Sequence, residues 1–472
     1  MKTVRIRAAR RDAPRATTWI ATCIVAIAVA ARGVADQERL TLEAALDSAL
    51  ARHPSVRGAA ARVDAARAGR AAAAAARLPT LAGSANLTRF QEPMVVAPFH
   101  GFDPRMPPDF DRTLVQGQLA LRYTLFDGGG RGARIGEAEA NAEGSAAEYA
   151  ETEMGLLQSV VGAYLQVLTA REVLDAAEHR VLDLEAERSR AQRFLDEGAA
   201  PRLEVMRAEA ALLDARADVA SGRARVDLAE RDLARLMGVD PASMAGRPLA
   251  DARIGGAAPE AGPKGGTPHG GEPFARAAGN GAAAAPPVVE RARAVVAAAE
   301  AGLRRERATR LPTLDAAAGL LNFGTASGNF VTEWQAGFAL SWPVFTGGAR
   351  RAGIRAAAAR LRAAREALSQ TRLSVDAAAD EARAALTEAR GRSRALEASV
   401  RQWKEVARVE ALALEEGSGV QHDYLRAQAG LYGARAAYAQ ARHGVSLAQV
   451  RLARALGILD RAWISANLER TP

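Results

Sequence analysis

Cysteine is nearly absent from this chain: of 472 residues only Cys23 is one. Lysine is confined to Lys2, Lys264 and Lys404, and aromatic residues make up 5%. The six histidines, His53, His100, His179, His269, His422 and His443, contain no pair at zinc-ligand spacing. No Gly-x-Ser-x-Gly elbow and no P-loop occurs, so the residues offer no signature of an enzyme. The six histidines are expected to be scattered over the surface. What fills the chain instead is alanine and arginine, both strong helix formers, and a mostly helical protein is the expectation.

The first residues read as a secretory signal. Lys2, Arg5, Arg7, Arg10, Arg11 and Arg15 precede an apolar stretch from Trp19 to Ala31, too short to span a bilayer comfortably. Gly33-Val34-Ala35 places small residues where cleavage before Asp36 needs them. Cys23 lies inside the apolar stretch, whereas a lipidated cysteine would follow it. The processed chain therefore lacks cysteine, which suits an oxidising compartment without disulfides. Residues 1–35 also carry seven of the 63 Lys and Arg but one of the 54 Asp and Glu, so the net charge of +9 falls to +3 without them. A chain so nearly balanced has no footprint of a nucleic-acid binder.

The remainder is two copies of one unit. Arg77-Leu78-Pro79-Thr80-Leu81 returns unchanged as Arg310-Leu311-Pro312-Thr313-Leu314, 233 positions later. Leu125-Phe126-Asp127-Gly128-Gly129 returns as Val344-Phe345-Thr346-Gly347-Gly348, 219 later, and Gly198 has its mate at Gly417 by the same offset. The first copy thus carries 14 extra residues. They fall in a Pro- and Asp-rich stretch expected to form a loop over 91–112. The expected domains are a signal segment 1–35, a first repeat 36–244, an irregular Gly- and Pro-rich linker 245–287, a second repeat 288–460 and a tail 461–472.

Periodicity switches twice in each copy. Residues 42–77 read as helix, ended by Pro79. Strands follow: Leu81, Ala85 and Leu87 alternate with Ser84, Asn86 and Thr88, and Val115, Leu119, Leu121, Tyr123 and Leu125 alternate with Gln116, Gln118, Arg122 and Thr124. In the second copy Trp334, Phe338, Leu340, Trp342 and Val344 share one face. Strands of about ten residues with one apolar and one polar face fit a membrane barrel with a wet lumen. A soluble hairpin packed on helices would give the same pattern, but the duplication in a secreted, helix-rich chain favours the barrel. Tyr123 and Trp342 hold matching repeat positions, as an aromatic girdle would. Four strands cannot close a barrel, which needs about eight, and an open edge cannot face lipid. Several chains must share the barrel, and three would give twelve strands.

After each hairpin a very long helix is expected, N-capped by Asp127 or Thr346. The first runs to about Asp196. Val160, Val167, Leu174 and Val181, with Ala163, Ala170, Ala177 and Leu184, form a coiled-coil seam, repeated by Leu386 and Val400 beside Ala382, Ala389, Leu396 and Trp403. The chain turns at Gly198 to Pro201 or at Gly417 to Gly419, and a second helix runs back. The Gly128-to-Ala133 match to a dinucleotide fingerprint is better read as a turn, because the preceding strand is half polar and the helix far too long.

These residues resemble the outer-membrane efflux protein family, the TolC-type channels. The resemblance spans nearly the whole chain after residue 35. It rests on the opening Leu40-Thr41-Leu42-Glu43-Ala44-Ala45-Leu46, the two Arg-Leu-Pro-Thr-Leu helix exits, the paired Phe-Asp-Gly-Gly and Phe-Thr-Gly-Gly turns, and the two glycine-bearing helical turns. It implies a mainly α protein with a small β part. A homotrimer would share a twelve-stranded outer-membrane barrel above a helical periplasmic duct. The implied partners are outer-membrane lipid, a periplasmic adaptor and an inner-membrane pump, with no cofactor and no catalytic role. The turns at Gly198, Pro201, Gly417 and Gly419 correspond to the adaptor-contacting end. Where relatives place a pair of acids at the gate, this chain has Asp423 and Arg426. The alternative is a periplasmic coiled-coil scaffold without a pore.

Overall fold

The computed structural model describes residues 39–98, 100, 105, 107–255, 285–328 and 330–469. The expected signal segment, Cys23, Asp103 and most of the linker lie outside them. The first copy comprises α1 (Leu42–Arg52), α2 (Pro54–Ala75), β1 (Thr80–Val95), β2 (Phe110–Phe126), α3 (Gly130–Asp196) and α4 (Arg202–Met237), followed by the short β3 (Arg253–Ile254). The second comprises α5 (Pro287–Ala308), β4 (Thr313–Thr325), β5 (Phe330–Ser341), α6 (Ala349–Glu415) and α7 (Gln421–Ala455), followed by α8 (Arg461–Asn467) and β6 (Leu468–Glu469).

The helix expected over 42–77 is broken at His53. Pro54 disfavours helical geometry in the residue before it, and His53 accordingly sits at ψ 129°. His53 ends α1 and caps α2, its Nδ1 accepting from the Ser55 amide at 3.3 Å, while Pro54 takes the first helical position, where a missing N–H costs nothing.

The long helices begin later than expected. Their N-caps are Gly129 and Gly348, both at φ +87°, and not Asp127 and Thr346. Each follows another left-handed glycine, and this pair of residues separates the strand from the helix. Asp127 still serves the helix from outside it, accepting the amides of Gly129 at 3.2 Å and Arg131 at 2.5 Å. The Thr346 hydroxyl accepts from the Arg350 side chain, and its carbonyl from the Ala349 amide. With its first amides taken by Asp127, the glycine turn has no phosphate cradle to offer. α3 and α6 have 67 residues each, which at 1.5 Å per residue is on the order of 100 Å. Val160, Val167, Ala170, Ala177 and Leu184 of the expected seam are buried.

The strands form one antiparallel sheet in the order β1-β2-β4-β5, with β1 and β5 each paired on one side only. The expected loop over 91–112 is shorter, because β1 runs to Val95 and β2 starts at Phe110. Pro93 is tolerated in β1 because the register is already interrupted between Arg89 and Met94. β5 stops at Ser341, so Trp342 and Val344 lie beyond the strand they were expected to continue. Pro343 between them has no N–H to extend the ladder.

The main core lies midway along the helices. Leu42, Leu46, Val160, Tyr164, Leu233 and Met244 meet there with Ile254, Leu459 and Ile464. The Tyr164 hydroxyl lies 2.7 Å from the Leu40 carbonyl and 2.6 Å from that of Ala250. β3 pairs with β6, and Leu40 bridges Leu249. Residues 245–255 and 461–469, expected as irregular linker and tail, are therefore built into this core.

Candidate duct wall and periplasmic tips

The sheet register sorts the side chains by chemistry. On one face Leu81 opposes Leu121, Leu119 opposes Leu320, Leu320 opposes Trp334, and Ala316 opposes Phe338. On the other, Thr80 opposes Arg122, Ser84 opposes Gln118, Asn86 opposes Gln116, and Thr124 donates to Asp315 at 2.5 Å. A register shift between Thr124 and Phe126 returns Phe126 to the apolar face, opposite Leu314. That face lies open within the chain, with Trp334 77% and Phe338 76% exposed. Leaving a side chain of this size in water forgoes about 1.5–3 kcal/mol, so the face belongs against an apolar phase. Among the described residues no helix is long and apolar enough to cross a membrane.

The two residues expected to form an aromatic girdle are placed differently. Tyr123 lies inside β2 opposite Ala316, with the Arg131 guanidinium 5.9 Å from its ring centroid. Trp342 lies one residue past β5, its indole N–H donating to the Arg310 carbonyl at 3.2 Å. Through Ala316, Tyr123 is level with Phe338, so its repeat mate Trp342 lies four residues further along. Leu81 and its mate Leu314 are staggered equally, since Leu81 is level with Ala318 through Leu121. Matching repeat positions are thus not on one rung. Such stagger accompanies strand tilt, and barrel closure requires both.

At the other end of α3 and α6 the chain reverses at two tips. Gly198 and Gly417 adopt φ +72° and +75°. Gly419 is required by space: a Cβ there would lie 2.8 Å from the Ala413 carbonyl carbon and the Leu414 nitrogen. Pro201 caps α4 in extended geometry. Asp423 and Arg426 are both exposed in the first two turns of α7, and no salt bridge joins them within the chain.

Beside them lies a buried set that the sequence did not reveal. Glu187 is paired with Arg190 at 2.9 Å and receives the Gln421 side-chain amide at 2.9 Å. Arg190 also donates to the Leu414 carbonyl at 3.4 Å, so α3 is tied directly to the second tip. Burial pushes the Asp183 carboxyl up despite Arg435 and His179, and burial likewise pushes the Tyr424 phenol up. One signal was available: Glu187 follows Leu184 by three residues, inside the seam that otherwise continues through Ala191.

Further along the junction of α3 with α7, Arg442 pairs with Glu172 and Arg454 with Glu151. His443 corrects the expectation of surface histidines. It is 3% exposed and shares a 2.7 Å hydrogen bond with Thr169. Burial first, then Arg442, holds its imidazole down at about 4. Among the described residues no cluster of three His, Cys, Asp or Glu could hold a metal ion.

A sheet open at both edges, apolar on one face and continuous with two helices on the order of 100 Å long, is a fragment of a wall. Comparison with known proteins identifies which wall. The outer membrane efflux protein family matches residues 45–239 and 280–458. The chain belongs to that family. It is 32% identical to the protein CyaE of Bordetella pertussis over 73% of this chain and 69% of that one. It is 26% identical to the outer membrane efflux protein BepC of Brucella suis over 82% of this chain and 78% of the other. The fold is that of a membrane protein from Pseudomonas aeruginosa, with a TM-score of 0.74 at 23% identity, covering 88% of this chain and 93% of that chain. The protein is an outer-membrane efflux channel of the TolC type, extending from the outer membrane into the periplasm.

Proposed function

We propose that three copies of this chain close one twelve-stranded barrel and one helical duct, through which an inner-membrane pump and a periplasmic adaptor expel solutes. The observation that carries this reading is the pair of open edges on β1 and β5. Lipid tolerates no unpaired backbone, so β5 of one copy pairs with β1 of the next, and the apolar face turns outward. Tyr123 and Trp342 are the periplasmic-side girdle. The duct performs no chemistry of its own. Light scattering in detergent should give three chains per particle; a water-soluble single chain would sink the reading.

The tips are proposed as the adaptor-contacting and gating end. Asp423 and Arg426, exposed and unpaired within one chain, would meet their copies around a threefold axis. Three carboxylates brought together repel unless neutralised, and Arg426 of a neighbouring chain supplies the opposite charge. In planar bilayers, Asp423→Ala or Arg426→Ala should raise conductance or change ion selectivity with the trimer intact. Unchanged conductance and selectivity in both variants would place the constriction elsewhere.

A further inference from the structure

The helix–strand junction carries a concentration of arginine that the channel reading leaves unused. Arg70, Arg131 and Arg305 face the carboxylates of Glu139, Asp127 and Glu137. Arg77, Arg304, Arg307, Arg310, Arg351 and Arg355 are exposed and, among the described residues, have no carboxylate within salt-bridge distance. All six lie within a few helical turns of where β1 and β4 begin or β5 ends. Arg304 and Arg307 line a cleft of about 400 Å³ between the end of α5 and the start of α3, floored by Gly132, Ala133, Ala308 and Leu311.

The neighbourhood of this cleft is apolar and open. Leu78, Leu311, Trp342, Val344 and Phe345 are all exposed, Phe345 by 88%. Trp342 and Val344 extend the sequence parity of the outward-facing Phe338 and Leu340. The Trp342 indole bonds the Arg310 carbonyl, which sets the end of α5 beside the membrane-facing surface. A cleft with two unpaired guanidiniums below an apolar collar matches one kind of molecule: an anion attached to an acyl chain. The repeat supplies an internal contrast. The residues 233 positions before Arg304 and Arg307 are Ala71 and Ala74, so the first copy lacks this pair of guanidiniums at the end of its helix.

We propose that the Arg304–Arg307 cleft binds the phosphate of an anionic phospholipid in the periplasmic leaflet, one per chain. The inference rests on the membrane placement of the sheet and adds a specific lipid class and site to it. Guanidiniums suit the task because they present forked donors to phosphate oxygens and stay charged at any working pH. Basic clefts at the membrane surface gain affinity from each added cation and lose it as salt rises.

The test is native mass spectrometry of the full chain in detergent, titrated with phosphatidylglycerol or with phosphatidylcholine of the same acyl length. One phosphatidylglycerol per chain should be retained and phosphatidylcholine released. Arg304→Gln combined with Arg307→Gln should weaken retention roughly tenfold. Arg360→Gln with Arg362→Gln, the same charge loss further down α6, should leave it unchanged. Retention of phosphatidylglycerol by the Arg304/Arg307 variant at the level of the parent would overturn the site. Equal retention of phosphatidylcholine would overturn the anionic class. Displacement by inorganic phosphate as readily as by lipid would assign the cleft to a free anion and overturn the lipid source. Flotation with neutral phosphatidylcholine vesicles is the separate control: failure to float would count against the membrane placement, not the lipid class. Unchanged thermal unfolding of each variant shows that the fold survives the substitutions.

Discussion

α3 and α6 are copies of one helix, equal in length, yet they live in different surroundings. α3 is enclosed by α2, α4, α5 and α7, whereas α6 packs mainly on α5 and α7. Sixteen residues of α3 are buried and seven of α6. Position in the array causes the difference: α3 is interior and α6 forms an edge. The opposite edge is α4, the copy of α7. The junction of α3 with α7 inside the chain therefore foreshadows a junction of α6 with α4 between chains. The side chains diverge accordingly. Glu151, Glu172 and Glu187, which bond α7, have Gln370, Gly391 and Val406 as their mates 219 positions later. The junction within the chain is held by charge, and its counterpart has lost those acids.

The largest expected contrast is at Tyr164, fully buried, whose mate Arg383 is exposed. Tyr164→Ala should cost about 3–5 kcal/mol of stability and Arg383→Ala less than about 0.5 kcal/mol, read by denaturant unfolding. Equal costs would mean that assembly buries both positions alike.

A smaller contrast lies where each hairpin packs its seam. Leu184 packs on Ala211 in the first copy, and in the second the bulkier Trp403 lies against Gly430, where a Cβ would come within 2.5 Å of the indole. Gly430→Ala should destabilise by about 1–3 kcal/mol, and adding Trp403→Leu should recover part of that loss. Purely additive effects would show that the two sites do not touch.

Smaller still is a pH effect peculiar to α7. His443 is held neutral in the fold, its imidazole near 4, while an unfolded histidine takes a proton near 6.5. The unfolded state therefore binds the extra proton first, and stability is lost as pH falls through that interval. Between pH 7 and 5.5 the loss is about 1 kcal/mol. His443→Gln should flatten this part of the profile; an unchanged slope would assign the proton elsewhere.

Much of this was legible in the sequence because the repeat is written in local chemistry. The Arg-Leu-Pro-Thr-Leu exits, the glycine pairs and the alternating strands each specify backbone geometry within a few residues. The seam at Val160, Val167 and Leu184 announced itself by spacing. The missing pieces depend on contacts distant in the chain. Residues 245–255 look like linker until Tyr164 supplies a partner 86 positions away. His443 looks like a surface histidine until Thr169, 274 positions away, meets it. At the tips the turns were readable from Gly198 and Gly417, but the Glu187–Arg190–Gln421 set was not, since its members belong to different copies. Trp342 falls one residue past β5 because alternation continues through Pro343 while hydrogen bonding cannot.

In the proposed trimer α6 of one copy packs on α4 of the next as α3 packs on α7 within a chain. Glu187 and Gln421 touch at 2.9 Å, and their repeat mates are Val406 and Arg202. With cysteines at Glu187 and Gln421, a short bifunctional thiol reagent should link residues of one chain, leaving a monomer on a denaturing gel. With cysteines at Val406 and Arg202, it should link neighbouring chains into covalent dimers and trimers. A Val406/Arg202 variant that remains monomeric, while the Glu187/Gln421 variant is linked, would rule out this packing of α6 on α4.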